Sequence, residues 1–113
     1  MGRNEYIQRL QMVIHHLHKV DSRHIESVPV EEVYQGQVIW RGIVEVFSVT
    51  GNPKATRCYA WSHRDGKDDE GERMVAVLGL PPVDSAQKAV QVAIASDVRS
   101  KTASTKRPRP KML

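Results

Sequence analysis

Cysteine is nearly absent from this chain: Cys58 is the only one in 113 residues, so no internal disulfide can form. A lone cysteine fits a reducing compartment. No run of about 18 apolar residues occurs, which argues against a membrane-spanning helix. The stretch Met1–Tyr6 lacks the apolar core of a secretory signal. These absences predict a cytoplasmic protein with no membrane partner.

Specific catalytic and metal-binding motifs are also missing. Cys58 and His63 are five residues apart on one predicted strand, which places them on opposite faces and excludes a nucleophile–base pair. His15 and His18 have helical spacing, but no nearby carboxylate completes a metal site. The acidic residues between positions 65 and 72 lack the spacing of a calcium loop. We therefore predict no catalytic residue, no metal and no cofactor.

Positive charge is unevenly distributed. The net charge is +4, yet residues 1–98 carry eleven basic and thirteen acidic groups. The excess lies in a tail without acidic residues, where Pro108 and Pro110 also exclude helix. We predict one domain over residues 1–98 and a basic, proline-containing, disordered tail over 99–113. The tail residues with a possible affinity for phosphates are Lys101, Lys106, Arg107, Arg109 and Lys111.

The pattern of apolar residues predicts an α+β fold: a helix, an antiparallel meander of three to four strands, and a second helix. Gly36 predicts a tight hairpin between the first two strands. Gly42, inside the most apolar strand, predicts either a bulge or the close approach of another element. The predicted helices cover about residues 4–20 and 85–98, and the strands about 26–34, 37–49, 56–63 and 73–80.

Strict alternation along the strands assigns the two faces of the sheet. The small residues Cys58 and Ala60 suit a face covered by helices, so we expect both helices on that one face. The opposite face carries more apolar surface than water contact requires, which is typical of an interaction surface. Another strand register would instead place its aromatics in the core. The predicted interaction face consists of Arg41, Ile43, Phe47, Arg57, Tyr59, Trp61 and His63.

The predicted order of elements, over residues 4–98, is similar to that of the double-stranded-RNA-binding domain. That family has a basic cluster at the start of its last helix. The corresponding stretch here, residues 82–88, contains one lysine, Lys88, and one aspartate, Asp84. The phosphate-binding device is missing, so the resemblance does not imply the family's function.

Three functions are compatible with these features. The first is a non-enzymatic interaction module that forms a homodimer, or binds another protein, through the open sheet face. The second is a nucleic-acid-binding accessory protein that uses the basic tail, with Tyr59 and Trp61 stacking on bases. The third is a small enzyme whose site combines scattered residues such as Arg57, Tyr59 and His63.

Overall fold

The computed structural model describes residues 2–64 and 72–106, with the side chains of residues 2–62 and 73–96. A helix is followed by four strands and a second helix, which confirms the predicted α+β class and element order. The elements are α1 (Arg3–His18), β1 (Asp21–Tyr34), β2 (Gln37–Thr50), β3 (Arg57–Arg64), β4 (Glu72–Leu78) and α2 (Ala86–Lys106).

The second helix is longer than predicted. It continues past the predicted domain boundary at residue 98 and ends at Lys106. No proline occurs between Ala86 and Lys106 to interrupt it. The predicted tail therefore begins within α2, and residues 107–113 lie outside the described residues.

The strands form an antiparallel sheet in sequence order, β1-β2-β3-β4. The turn between β1 and β2 has two residues, Gln35 and Gly36, with φ angles of 52° and 79°. Two positive φ angles are what a type I′ turn requires, and its twist matches that of the strands it joins. The predicted hairpin at Gly36 is confirmed.

Each face of the sheet is covered by one helix, so the prediction that both helices share a face is wrong. Leu10 and Ile14 of α1 pack in a cluster with Phe47, Cys58 and Ala60. We call this side of the sheet the α1 face. The expectation that Cys58 and Ala60 lie under a helix is correct, but that helix is α1 alone.

The second helix packs on the other side, the α2 face. Its Ala89 and Val90 belong to a cluster with Val46, Tyr59 and Trp61. The apolar residues that the sequence analysis assigned to an open face are therefore covered by α2. Both alternating sets of residues are apolar because strands buried on two faces need apolar residues at nearly every position.

The face on which Phe47 lies also differs from the prediction. Phe47 lies opposite Cys58 and Glu45 opposite Ala60. Residues paired across antiparallel strands point to the same side. Phe47 therefore shares a face with Cys58, whereas the prediction placed it beside Tyr59 and Trp61.

Gly42 marks a close approach rather than a bulge. It pairs regularly with Val30, and the register shifts lie at Ile25 and Ile39 instead. A Cβ atom on Gly42 would lie 2.9 Å from Cη2 of Trp40, so the indole covers the glycine. There the indole meets the Trp61 ring edge to face at a centroid distance of 5.8 Å. The glycine thus allows the Trp40 ring to reach Trp61.

We expect Gly42→Ala to destabilise the protein by about 1–3 kcal/mol, because the new methyl group displaces the Trp40 ring. In a Trp40→Ala background the same change should stabilise by about 0.5–1 kcal/mol, since alanine loses less backbone entropy than glycine. Urea unfolding of the four proteins of this double-mutant cycle measures both effects. An equal effect in the two backgrounds would contradict the packing of Trp40 on Gly42.

Candidate functional site

The predicted interaction face does not exist as an exposed surface. Phe47 is 0% exposed, Trp61 2% and Tyr59 6%. Tyr59 and Trp61 lie under α2 and Phe47 lies under α1. Those three predicted site residues are core residues, as the alternative register implied.

The other members of that set are scattered. Ile43 is 48% exposed, and Arg41 and Arg57 are exposed on different strands. His63 has a described backbone in β3, but its side chain lies outside the described part of the chain. Only Arg41 and Ile43 remain together on an accessible surface.

The enzyme hypothesis loses its site for the same reason. Tyr59 is buried, which raises its pKa and keeps the phenol protonated. Cys58 is fully buried, and burial raises the pKa of its thiol to about 12, so it is unreactive. Across the described residues, no group of three or more His, Cys, Asp or Glu side chains is placed to hold a metal ion.

The nucleic-acid hypothesis keeps only its basic tail. Burial of Tyr59 and Trp61 removes the aromatic surface on which bases would stack. Lys101 and Lys106 belong to the backbone of α2, but their side chains are not described. The remaining tail residues, Arg107, Arg109 and Lys111, lie outside the described residues, so phosphate binding by the tail stays a prediction.

Five of the nine exposed large apolar residues in the described part of the chain lie in the far half of the β1–β2 hairpin. β2 pairs with β3 only from Glu45 to Ser48, while β1 pairs along all of β2. Residues 29–43 therefore form a two-stranded extension of the sheet, which we call the distal ribbon. Its exposed apolar residues are Val33, Tyr34, Val38, Ile39 and Ile43.

Polar contacts fix this ribbon in place. On the α1 face, Arg41 donates two hydrogen bonds to Oε2 of Glu31, one of them from Nε at 3.0 Å. On the α2 face, Gln87 donates to the carbonyl oxygen of Glu31 at 3.1 Å, and Gln91 donates to Oε2 of Glu32 at 3.1 Å. These contacts hold the ribbon against α2 and neutralise Arg41.

A groove follows the β4 edge of the sheet, between α2 on one side and Leu17 of α1 on the other. It encloses about 510 Å³. Apolar side chains form most of its lining: Trp40, Trp61, Val75, Val77, Ala93 and Ile94. Within the described residues, Arg73 is its only charged lining residue. Sequence reasoning missed this groove because it placed α2 on the other face.

A larger hollow of about 1050 Å³ follows the surface of α1. Its lining mixes the exposed Met12 with polar and ionisable side chains, including His15, His16 and Asp21. A surface of this mixed character does not select one class of ligand.

The α1 face contains one buried carboxylate, Glu45, which is 2% exposed. Its Oε1 atom accepts hydrogen bonds from Ser27 and from Nε2 of His24, the latter at 2.8 Å. Nη2 of Arg3, at the start of α1, lies 3.4 Å from the same oxygen. Burial alone would raise the pKa of Glu45, but the two hydrogen bonds and the charges of Arg3 and His24 outweigh it, and the pKa lies below its ordinary value.

This cluster does not have the geometry of a catalytic triad. The Ser27 hydroxyl donates to the Glu45 carboxylate rather than to the imidazole of His24, so the serine–imidazole hydrogen bond of a triad is not formed. Arg3 also donates to Ser27 Oγ at 2.7 Å. The arrangement ties the first turn of α1 to β1 and β2, and we assign it a structural role.

Comparisons with protein-family models, curated proteins and solved structures find no match. In the described part of the chain, no helix is long and apolar enough to cross a membrane.

Proposed function

We propose that this protein is a non-enzymatic interaction module that forms a homodimer through the distal ribbon. The observation that carries the proposal is the set of exposed apolar side chains on residues 29–43. An isolated two-stranded hairpin is marginally stable in water, and contiguous exposed apolar surface favours association. A single buried cysteine is compatible with the cytoplasmic location that we include in the proposal.

A second copy of the chain fits this surface for two reasons. Among the described strands, none pairs with residues 37–44 of β2 on the side away from β1, so backbone groups there can form a new ladder. The only charged residue in that segment is Arg41, which Glu31 already neutralises. The edge therefore lacks the unpaired charges that keep identical strands apart. Two such edges, antiparallel about a two-fold axis, form a closed dimer.

We expect the wild-type protein to have twice the mass of the chain in light scattering, and Ile39→Glu to be a monomer. Ile39 is 49% exposed at the bulge, so the new carboxylate leaves the fold intact but must be desolvated in the dimer. Met12→Glu is the matched control, since Met12 is 68% exposed on α1, away from the ribbon. It should remain a dimer.

A wild-type protein that is monomeric at high micromolar concentration would refute the homodimer. A dimer that persists in Ile39→Glu but dissociates in Met12→Glu would move the interface to α1. Circular dichroism of both variants confirms that the change is in assembly and not in folding.

A further inference from the structure

We propose that the β4 edge of the sheet binds an uncharged, apolar peptide segment of another protein, which adds to the sheet as an antiparallel strand beside β4. The segment lies in the groove that follows this edge. The site is separate from the distal ribbon and does not depend on the proposed dimer.

The hydrogen bonds at the end of β4 show which of its backbone groups point away from β3. The N–H of Gly79 donates to the carbonyl oxygen of Arg57 at 2.8 Å. Hydrogen-bonded and non-hydrogen-bonded pairs alternate along antiparallel strands, so every second residue of β4 before Gly79 also bonds to β3. The backbone groups of Met74, Ala76 and Leu78 therefore point outward, and none of the described strands pairs with them.

Part of this outer edge already has hydrogen-bond partners. Nε2 of His18, the last residue of α1, donates to the carbonyl oxygen of Ala76 at 2.9 Å. The N–H of Leu80 donates to the carbonyl oxygen of Leu78 at 2.8 Å. In the described part of the chain, this leaves both backbone groups of Met74 and the N–H of Ala76 open to a further strand. An antiparallel strand can bond to all three, because the residue opposite Met74 exchanges two hydrogen bonds with it.

The opposite edge of the sheet is closed to such a strand. β1 contains Pro29, which has no N–H to donate to a ladder. Gln11 of α1 and Gln87 of α2 donate to the carbonyl oxygens of Ser22 and Glu31, at 3.0 and 3.1 Å. Charged side chains also discourage pairing at strand edges. Aspartate, glutamate and arginine occur repeatedly along β1 but are absent from residues 74–78 of β4.

The walls of the groove select the side chains of the added strand. Leu17 of α1, which is 55% exposed, borders the β4 edge on one side, and Ala93 and Ile94 of α2 border it on the other. Successive side chains of the added strand point to opposite faces, so they meet apolar surface on both. Arg73, the only charged residue in the described lining, already has an interaction partner. A charged side chain on the segment would be buried without a counter-ion, so the matching segment is uncharged.

The same walls favour a peptide over a second copy of the chain. A groove of about 510 Å³ is within the range of ligand sites, roughly 300–1,000 Å³, and is large enough for a segment of a few residues. A second copy would bring its own α1 and α2 to the same edge, where its helices would have to pass those that border the groove. An extended peptide has no helices and meets no such obstacle.

The test is an NMR titration of the isotope-labelled full chain with the neutral peptide acetyl-Thr-Val-Thr-Val-Thr-amide. With the central threonine opposite Met74, both valines point to the α2 face. We expect saturable binding, with the largest shifts at the amide protons of Met74 and Ala76, because both form new hydrogen bonds. N-methylation of the central threonine removes its donor to Met74 and should weaken binding by about tenfold or more. N-methylation of one valine, whose N–H points away from β4, is the matched control and should leave binding unchanged.

Variants of the chain and of the peptide test the two requirements separately. Met74→Pro removes the outward N–H and should abolish binding while the protein remains folded, since proline is tolerated at an edge where its N–H would not join the ladder. Met74→Val keeps the N–H and should bind as the wild type does. Replacing both valines of the peptide with glutamate, or both with lysine, should weaken binding by about tenfold or more in each case, because the groove supplies no counter-charge.

Four results would overturn the proposal: no saturable binding, equal affinity for the two N-methylated peptides, undiminished binding of either charged peptide, and undiminished binding to a folded Met74→Pro. If Met74→Pro does not fold, the N-methylated pair decides the question. A wild-type dimer that Met74→Pro dissociates would show that a second copy occupies the β4 edge, and would also refute the peptide site. The Ile39→Glu monomer should bind the peptide normally, so the β4 edge and the dimer can fail independently.

Discussion

Trp61→Arg is expected to unfold the protein. Trp61 is 2% exposed and packs under α2 in a cluster with Val90 and Tyr59. Loss of a buried large aromatic costs about 3–5 kcal/mol. An unpaired guanidinium in the same place costs several kcal/mol more. Together these losses approach or exceed the total stability of a typical domain, about 5–15 kcal/mol.

The measurement is thermal and urea unfolding followed by near-ultraviolet circular dichroism. Trp61→Phe should keep the fold and lose about 1–2 kcal/mol, because the ring is smaller but still apolar. Met12→Arg places the same charge on a residue of α1 that is 68% exposed and lies away from the distal ribbon, and should change stability by less than about 0.5 kcal/mol. A folded Trp61→Arg protein with a native spectrum would show that this face of the sheet is exposed to solvent and not covered by α2.

The order of the elements could be predicted because each rests on a local signal. The Gly36 turn specifies the hairpin of β1 and β2. The other strands also pair in the order in which they occur in the sequence. Alternation within β3 was also predicted correctly: Cys58 and Ala60 share the face under a helix. The pairing of consecutive strands and the alternation of apolar residues both depend on short segments of the chain, so they can be predicted from the sequence.

The placement of α2 could not be predicted from the same signals. Two kinds of sheet have apolar residues on both faces: a sheet covered by helices on both faces, and a sheet with one exposed interaction face. Their strands therefore show the same sequence pattern. The prediction chose the second and read Tyr59 and Trp61 as exposed. The groove beside α2 could not be predicted after that choice, because the groove forms only if Val75 and Val77 lie on the same face of the sheet as the helix.

The Glu45 cluster was missed because of a single extra residue. His24 and Ser27 are three apart in β1, and strict alternation would place them on opposite faces. The register shift at Ile25 reverses the alternation between them, so both reach the same carboxylate oxygen. One signal was present: Glu45 is a lone charge between Val44 and Val46 in the most apolar strand, and such a charge needs buried partners.

Stability at low pH is expected to depend on this one carboxylate. Folding lowers the pKa of Glu45 from the value of about 4.5 that it has in the unfolded chain. Its contribution to the free energy of unfolding is therefore fully present above that pKa, and is lost as the pH falls through the lower pKa of the folded state. Glu45→Gln removes the charge that binds Arg3 and His24, and should cost about 2–3 kcal/mol at pH 7. That variant should also lose less stability than the wild type between pH 5 and about pH 2.

The donors to Glu45 determine where the acid transition lies. Ser27→Ala removes a hydrogen bond that holds the pKa of Glu45 down, so this pKa should rise and acid unfolding should begin at a higher pH than in the wild type. Glu26→Gln is the control, because Glu26 is an exposed carboxylate on the same strand, and its acid midpoint should be unchanged. The measurement is the urea concentration at the midpoint of unfolding, determined at half-unit steps of pH for each variant. If this urea midpoint falls at the same pH in Ser27→Ala as in the wild type, Glu45 does not govern acid stability. The exposed carboxylates would then be its cause.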